Sequence, residues 1–128
     1  MKTILSILIF ISLIFISCLP ICTSQTQDTF VKKVVSGNRI ELNSGDTIEY
    51  IGVKIPMDSN NSIFAFAFAF NKNLVEAKTI RLEYDEKINN DYGYSLAYVY
   101  LGDIFVNAEI IKQGYGIVNI NSPNIKYA

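Results

Sequence analysis

Apolar and polar residues alternate through residues 30 to 53, and glycine-containing turns interrupt the alternation. A period of two is typical of antiparallel strands, and the Gly and Asn of the linkers SGN and NSGD suit tight reversals. The pattern predicts a three-stranded meander with strands over Phe30–Val35, Arg39–Leu42 and Thr47–Val53.

The next stretch, SIFAFAFAFNKNLVEAK, fits both a strand and a helix. Four phenylalanines alternate as in a strand, but an apolar set also recurs at helical spacing and continues into helix-forming residues. We therefore predict a helix whose core face carries Ile63, Phe66, Phe70, Leu74 and Ala77. Phe64 and Phe68 fall off that face, so they either pack at the start of the helix or form a patch that a partner, a membrane or another part of the fold covers.

The C-terminal half contains two further strand patterns, TIRLEYD and YSLAYVY. VNAEIIKQG then predicts a short helix, with Asn107 as its N-cap and Gly114 as its stop. Five strands, with one helix between the third and fourth and a short helix after the fifth, match an α+β, mainly β OB-fold barrel. The last residues predict only an extended segment.

The N-terminal segment is apolar and contains no charge from Ile4 to Cys22, with Lys2 before it and TSQTQD after it. This predicts a signal peptide over residues 1–25 and a folded domain over 26–128. A transmembrane anchor is the alternative, because the run is nearly long enough to span a bilayer. Either interpretation predicts an exported domain, at the cell envelope or secreted.

Cys18 is a candidate lipidation site, because FISC resembles the processing site of bacterial lipoproteins. That site usually has Leu where Phe15 stands. A lipid on Cys18 would tether the domain to a membrane surface. The other interpretation is that Cys18 and Cys22 are small apolar residues of a discarded segment.

Composition excludes several kinds of chemistry. The 128 residues include no histidine, and no cysteine follows Cys22. Histidine-containing zinc sites, Ser-His-Asp triads and Cys-His pairs are therefore excluded. The net charge is −1, with only Arg39 and Arg81 as arginines. Without a basic face, nucleic-acid binding is expected to be weak or absent.

Three stretches carry a family resemblance: YIGVKIP, FNKNLVEAKTIRLEYD and DYGYSLAYVYLGDIFVNAEIIKQGY. Together they resemble the thermonuclease family, or staphylococcal-nuclease-like domains, from about Val31 to Tyr127. The resemblance implies an OB barrel and a calcium-dependent phosphodiesterase acting on DNA and RNA. In that family carboxylates hold calcium, a glutamate helps to activate water, and two arginines neutralise charge on the phosphate.

The resemblance also implies that the metal site is substituted. The family motif D-G-D-T, whose second Asp binds calcium, corresponds to Ser36, Gly37, Asn38 and Arg39. In the motif R-L-I-G-V-D-T-P-E, Lys54 stands at the calcium aspartate and Ile55 at the threonine whose carbonyl binds calcium. The former metal positions are thus Asn38, Lys54 and Ile55, and no cofactor is expected.

The former catalytic positions are Glu49, Met57 and Tyr94. Glu49 stands at the first arginine and Met57 at the catalytic glutamate, while Y-G-R has become Tyr92, Gly93 and Tyr94. A tyrosine offers one neutral donor where a guanidinium offers a bidentate cation. No catalytic residue is expected, and Tyr92 is the one candidate for a nucleotide contact.

Two further departures concern the C-terminal part. Asn119 and Asn121 stand where the family has nucleotide-flanking tyrosines, which reduces the stacking surface for a base. The family's closing helix is also expected to be missing, because the chain ends at Ala128. Apolar surface that this helix would cover is then expected to be exposed.

Three hypotheses follow. The first is an exported, non-catalytic binding or structural module, with a membrane surface as the one partner that the signal or lipid anchor suggests. The second is an active metal-dependent nuclease with a relocated site, built from Asp58, Asp46 and Glu49 beside Arg39. The third is a truncated remnant without function.

Overall fold

The computed structural model describes residues 26–56, 60, 62–120 and 123–127. The strands follow the apolar–polar alternation of the sequence, and the helices follow apolar residues at helical spacing. Short turns join most of these elements. Their bounds are β1 Thr26–Ser36, β2 Arg39–Leu42, β3 Thr47–Tyr50, β4 Val53–Lys54, α1 Ser62–Val75, β5 Thr79–Glu83, β6 Ser95–Leu101, β7 Ile104–Phe105, α2 Val106–Lys112 and β8 Ile117–Val118.

The main sheet closes on itself. Its strand order is β3-β2-β1-β5-β6-β7, and β3 also pairs in parallel with β6. Strands β1, β2, β3, β5 and β6 therefore form a closed five-stranded barrel, with α1 between its third and fourth strands and α2 after its fifth. The predicted OB-fold architecture is confirmed.

The third predicted strand is divided. β3 ends at Tyr50, and Gly52 adopts a φ of +78°, a conformation that suits glycine. Val53 and Lys54 then form β4, which pairs with β8 outside the barrel. The prediction of one strand over Thr47–Val53 is therefore wrong at its end.

α1 is confirmed as a helix, but its buried face differs from the prediction. Ala67, Asn71 and Val75 are buried, whereas Phe66 is 60% exposed and Ala77 lies beyond the helix at a φ of +58°. The reason is a close approach of α1 to the β1–β2 turn: a Cβ added at Gly37 would lie 2.5 Å from the Cβ of Ala67. Only small side chains fit there, so the phenylalanines turn to the flanks. Ile63, Phe64, Phe70 and Leu74 are partly buried against the core.

Asn107 is not an N-cap, which corrects the prediction. Its side chain is buried, accepts a hydrogen bond from the Val99 amide at 2.8 Å and donates one to the Ile51 carbonyl at 2.8 Å. α2 instead begins directly after β7, and its N-cap residue Phe105 makes no side-chain cap. Asn107 therefore ties α2 to β6 and to the turn after β3. Gly114, with a φ of +81°, follows the helix as predicted.

The C-terminal segment, residues 123–127, is attached to the end of β5. Asn124 accepts a hydrogen bond from the backbone amide of Lys87 and donates one to its carbonyl, both at 2.7 Å. The Tyr127 hydroxyl donates to the buried carboxylate of Glu83 at 3.0 Å, and the Tyr127 ring packs edge-on against Tyr98. These contacts hold the segment in one place on the barrel.

Candidate functional site

The substituted positions meet at one end of the barrel. Asn38 belongs to the β1–β2 turn and bonds to the backbone of β4, while Arg39 begins β2 and contacts both β3 and the loop that precedes β6. The structure therefore brings Asn38, Glu49 and Tyr94 into one neighbourhood.

Asn38 uses its amide to close the turn. Its Nδ2 donates a hydrogen bond to the Val53 carbonyl at 3.0 Å, and its Oδ1 accepts one from the Ser36 hydroxyl at 3.0 Å. A carboxylate at this position could not donate to the Val53 carbonyl. The asparagine thus binds the β1–β2 turn to β4 without a charge.

Arg39 and Glu49 form an ion pair across the hairpin. They are directly opposed in the β2–β3 pairing, and the Arg39 Nε lies 2.8 Å from the Glu49 Oε2. Tyr94 flanks the pair, because its ring centroid lies 5.2 Å from the centre of the guanidinium. The two residues that the resemblance assigns to the family's arginine positions, Glu49 and Tyr94, therefore both contact Arg39.

Lys54 and Ile55 are the other described positions that the resemblance assigns to the metal. Lys54 is exposed, and Ile55 is 6% exposed with its side chain in the core. The Ile55 Cδ1 would lie 3.2 Å from a Cβ added at Gly37. This side chain therefore packs beneath the β1–β2 turn.

These residues do not fit a calcium ion. Calcium takes six to eight oxygen ligands, with carboxylates supplying charge. Here Asn38 directs its amide nitrogen toward the Val53 carbonyl, and the next residue, Lys54, is cationic. Among the described residues there is no group of three or more His, Cys, Asp or Glu that could hold a metal.

The relocated site of the second hypothesis is not assembled by its described members. Glu49 pairs with Arg39, whereas Asp46 accepts a hydrogen bond from the Ser44 hydroxyl at 2.7 Å in the β2–β3 turn. Asp46 lies three residues before Glu49, which corresponds to about 10 Å along a strand. The described residues do not include Asp58, Met57, Cys18 or the predicted signal peptide over 1–25.

Tyr92 and Tyr94 stand on a loop shaped by Asn90. The Asn90 Oδ1 accepts hydrogen bonds from the backbone amides of Tyr92 at 2.9 Å and Tyr94 at 3.0 Å, and Gly93 between them has a φ of +82°. Tyr92 is 84% exposed, and its ring lies 6.4 Å from that of Tyr94. The candidate nucleotide contact is thus available to solvent.

Asn119 bonds through its backbone amide to the Gly52 carbonyl, and Asn121 lies outside the described residues.

The sequence analysis missed a buried polar bridge beneath this site. The Tyr50 hydroxyl donates to the Asn71 Oδ1 at 2.8 Å, and the Asn71 Nδ2 donates to the Ser36 carbonyl at 2.9 Å. Burial raises the pKa of Tyr50, so its hydroxyl remains a donor. The bridge joins β3, α1 and the β1–β2 turn. A polar residue at helical spacing from Ala67 and Val75 was the available signal.

A second concave surface lies around α2, β4, β8 and the C-terminal segment. It encloses about 320 Å³, within the range of small-molecule pockets. We call it the α2 groove. Its apolar lining residues are Ile51, Val53, Phe105, Ala108, Ile111, Val118 and Ile120.

Comparisons with known proteins agree with this geometry. Residues 47–128 match the family model described as staphylococcal nuclease homologue. The chain is 32% identical over 105 residues to a thermonuclease of Staphylococcus intermedius, which covers 76% of this chain and 62% of that protein. A thermonuclease of Staphylococcus hyicus is 30% identical over the same shares. A prophage-derived endonuclease of Bacillus subtilis is 29% identical over 78% of this chain and 37% of its own length. The chain thus spans less than two thirds of the length of these relatives.

Proposed function

The chain belongs to the staphylococcal nuclease homologues, and from that premise we propose that it is a non-catalytic member, whose barrel serves binding or structure. The nuclease activity named for its relatives needs a centre that attracts a cation and stabilises a phosphate. In this chain the corresponding positions are Asn38, Glu49, Lys54, Ile55, Met57 and Tyr94.

The observation that carries the proposal is the hydrogen bond from the Asn38 Nδ2 to the Val53 carbonyl. It places a donor where the resemblance requires a calcium carboxylate. A metal at this position would meet the N–H donors of the Asn38 side chain, and it would lie beside the cationic Lys54.

The ion pair of Arg39 with Glu49 supports the same conclusion for phosphate. A guanidinium stabilises a transition-state phosphate through its charge and its bidentate donors. Here Nε of Arg39 is engaged by a carboxylate, and the charge of the pair is neutralised. Tyr94, on the other side of Arg39, adds only a neutral ring and hydroxyl.

The proposal includes export. The uncharged run Ile4–Cys22 would direct the chain to the membrane, as a signal peptide over residues 1–25 or as a retained anchor. Cys18 would carry the lipid if the chain is processed as a lipoprotein. Metabolic labelling with a fatty-acid analogue tests this, and loss of the label in Cys18→Ser is the expected result.

A reconstitution experiment tests the loss of the metal site. The full chain is compared with a variant carrying Asn38→Asp, Arg39→Thr, Glu49→Arg, Lys54→Asp, Met57→Glu and Tyr94→Arg, which restores the family's residues at these positions. Calcium binding is measured by calorimetry and DNA cleavage with a fluorogenic oligonucleotide. We expect neither in the native chain, and calcium binding in the variant.

The native chain decides the outcome. Calcium-dependent cleavage by the purified native chain, lost on Glu49→Gln or Asp58→Asn, would replace this proposal with the relocated nuclease site. A six-site variant that folds but does not bind calcium would show that residues outside these six positions prevent calcium binding.

A further inference from the structure

We propose that the α2 groove is a bilayer-contacting surface, which rests against the lipid interface while the N-terminal apolar segment holds the chain at the membrane. This inference rests on the proposed export with the apolar run retained as an anchor, and it does not depend on whether the barrel is catalytic. It concerns another face, formed by β4, α2, β8 and the C-terminal segment.

The chemistry of the lining favours an apolar occupant. Besides Lys112, which lies at the rim, four polar side chains line the groove, and each is already hydrogen-bonded to the protein: Tyr98 to Asp85, Asn107 to Ile51 and Val99, Asn124 to Lys87, and Tyr127 to Glu83. Their polar atoms are therefore not free to recognise a polar ligand. What remains toward the opening is aliphatic and aromatic surface, including Val118 at 59% and Ile120 at 57% exposure.

The groove is also preformed. One wall is the C-terminal segment, and its Asn124 and Tyr127 are fixed by the hydrogen bonds to Lys87 and Glu83. Preformed apolar surface of this kind avoids the ordering cost that a flexible loop would meet on contact with lipid. At the rim, the Lys112 side chain is 75% exposed and its Nζ lies 4.0 Å from a Glu109 carboxylate oxygen, and this exposed cation suits an anionic headgroup.

The position of Thr26, the first described residue, favours the bilayer as the occupant. Thr26 is paired with Glu83, and Glu83 with Tyr98, so the three lie in one row across the sheet. With strands about 4.8 Å apart, Thr26 is roughly 10 Å from the groove wall at Tyr98.

Only residues 23–25 separate Thr26 from the uncharged run Ile4–Cys22. The four Cα-to-Cα steps from Cys22 to Thr26 span at most about 14 Å. A retained anchor would therefore place the bilayer within reach of the groove. A tether this short gives the groove a high effective concentration at the bilayer, so weak interfacial affinity suffices for contact.

Tryptophan quenching tests the proposal, because the chain contains no native tryptophan. Val118→Trp and Ile120→Trp place single reporters at the groove, and Phe66→Trp places a matched exposed reporter on α1. The full-length chain is reconstituted into phosphatidylcholine–phosphatidylglycerol vesicles whose lipids carry brominated acyl chains. Circular dichroism and thermal melting establish that each variant is folded.

We expect severalfold stronger quenching by brominated lipid at positions 118 and 120 than at position 66. Aqueous iodide is expected to give the opposite order. Equal quenching at all three positions, strongest quenching at position 66, or no quenching at the groove would each overturn the proposal. The two groove reporters keep the test valid if one substitution prevents folding.

Discussion

Arg39 and Glu49 face each other across the β2–β3 hairpin, with 2.8 Å between Nε and Oε2. Through the resemblance, position 49 is where the family has an arginine and position 39 is where it has a threonine. The two substitutions are therefore physically linked, because each new residue neutralises the charge of the other. One of them alone would leave a charge without its opposed partner.

This linkage predicts a dependence between the two positions. Glu49→Arg places two cations directly opposite each other and is expected to lower the free energy of unfolding by about 0.5–1 kcal/mol through like-charge repulsion. Adding Arg39→Thr should recover part of that loss. Urea unfolding measures both variants. Glu49→Gln is the control, since it removes the pair without repulsion and should cost less than Glu49→Arg at this partly exposed site. Equal stability of Glu49→Arg with and without Arg39→Thr would contradict the linkage.

Asn71 is predicted to be a major contributor to stability. Asn71→Ala removes the acceptor for the buried Tyr50 hydroxyl and the donor to the Ser36 carbonyl. An orphaned buried polar group costs about 1–3 kcal/mol, so we expect a loss of roughly 2–4 kcal/mol in urea unfolding. The exposed Asn73 on the same helix supplies the control, and Asn73→Ala should change stability by less than about 0.5 kcal/mol. Similar losses in the two variants would show that the bridge is not a major source of stability.

The contact of Gly37 with Ala67 predicts a reciprocal pair of substitutions. Gly37→Ala would place its Cβ 2.5 Å from that of Ala67. Such overpacking costs about 1–3 kcal/mol, since the turn or the helix must move. Ala67→Gly removes the opposing methyl group. We therefore expect the double variant to lose less stability than the sum of the two single losses, as measured by thermal unfolding. Strict additivity would mean that the two residues do not compete for the same space.

Much of the barrel could be predicted from alternation alone. β2 begins and ends where the pattern predicts, and the helix between the third and fourth barrel strands was identified by its period. The sequence-based interpretation of α1 was wrong about which face of the helix is buried, because hydrophobic periodicity assigns the most apolar side chains to the core. The close approach of the β1–β2 turn instead favours small residues, so Ala67 is buried and Phe66 is 60% exposed.

The candidate site was predictable only in part. The resemblance identified Asn38, Glu49 and Tyr94 as substituted positions, but it gave no reason to place Arg39 between the last two. That arrangement depends on the pairing register of β2 with β3 and on the loop shaped by Asn90. Asn107 was misread for a similar reason. An asparagine at the start of a helical pattern resembles a cap until its burial against Ile51 is known.

Asp85 gives a pH-dependent prediction for the C-terminal segment. Partial burial tends to raise the pKa of Asp85, but hydrogen bonds from the Glu86 and Lys126 amides and the Tyr98 hydroxyl outweigh it and lower the pKa below its usual 3.8. Because the folded-state pKa is depressed, these interactions contribute fully above about pH 4 and are lost as the pH falls through the folded-state value. The Asp85 carboxylate is thus expected to resist protonation while the segment stays attached.

Asp85→Asn tests this expectation. The variant cannot lose a charge, so the fall of stability between pH 5 and pH 2, values that bracket the usual carboxyl range, should be shallower than in the native chain. Urea midpoints across that interval measure the slope, and near-UV circular dichroism follows the cluster of Tyr98, Phe105 and Tyr127. Asp103→Asn, at an exposed residue of the β6–β7 turn, controls for the loss of one negative charge. If both variants flatten the slope equally, general charge repulsion rather than the Asp85 contacts accounts for the acid sensitivity.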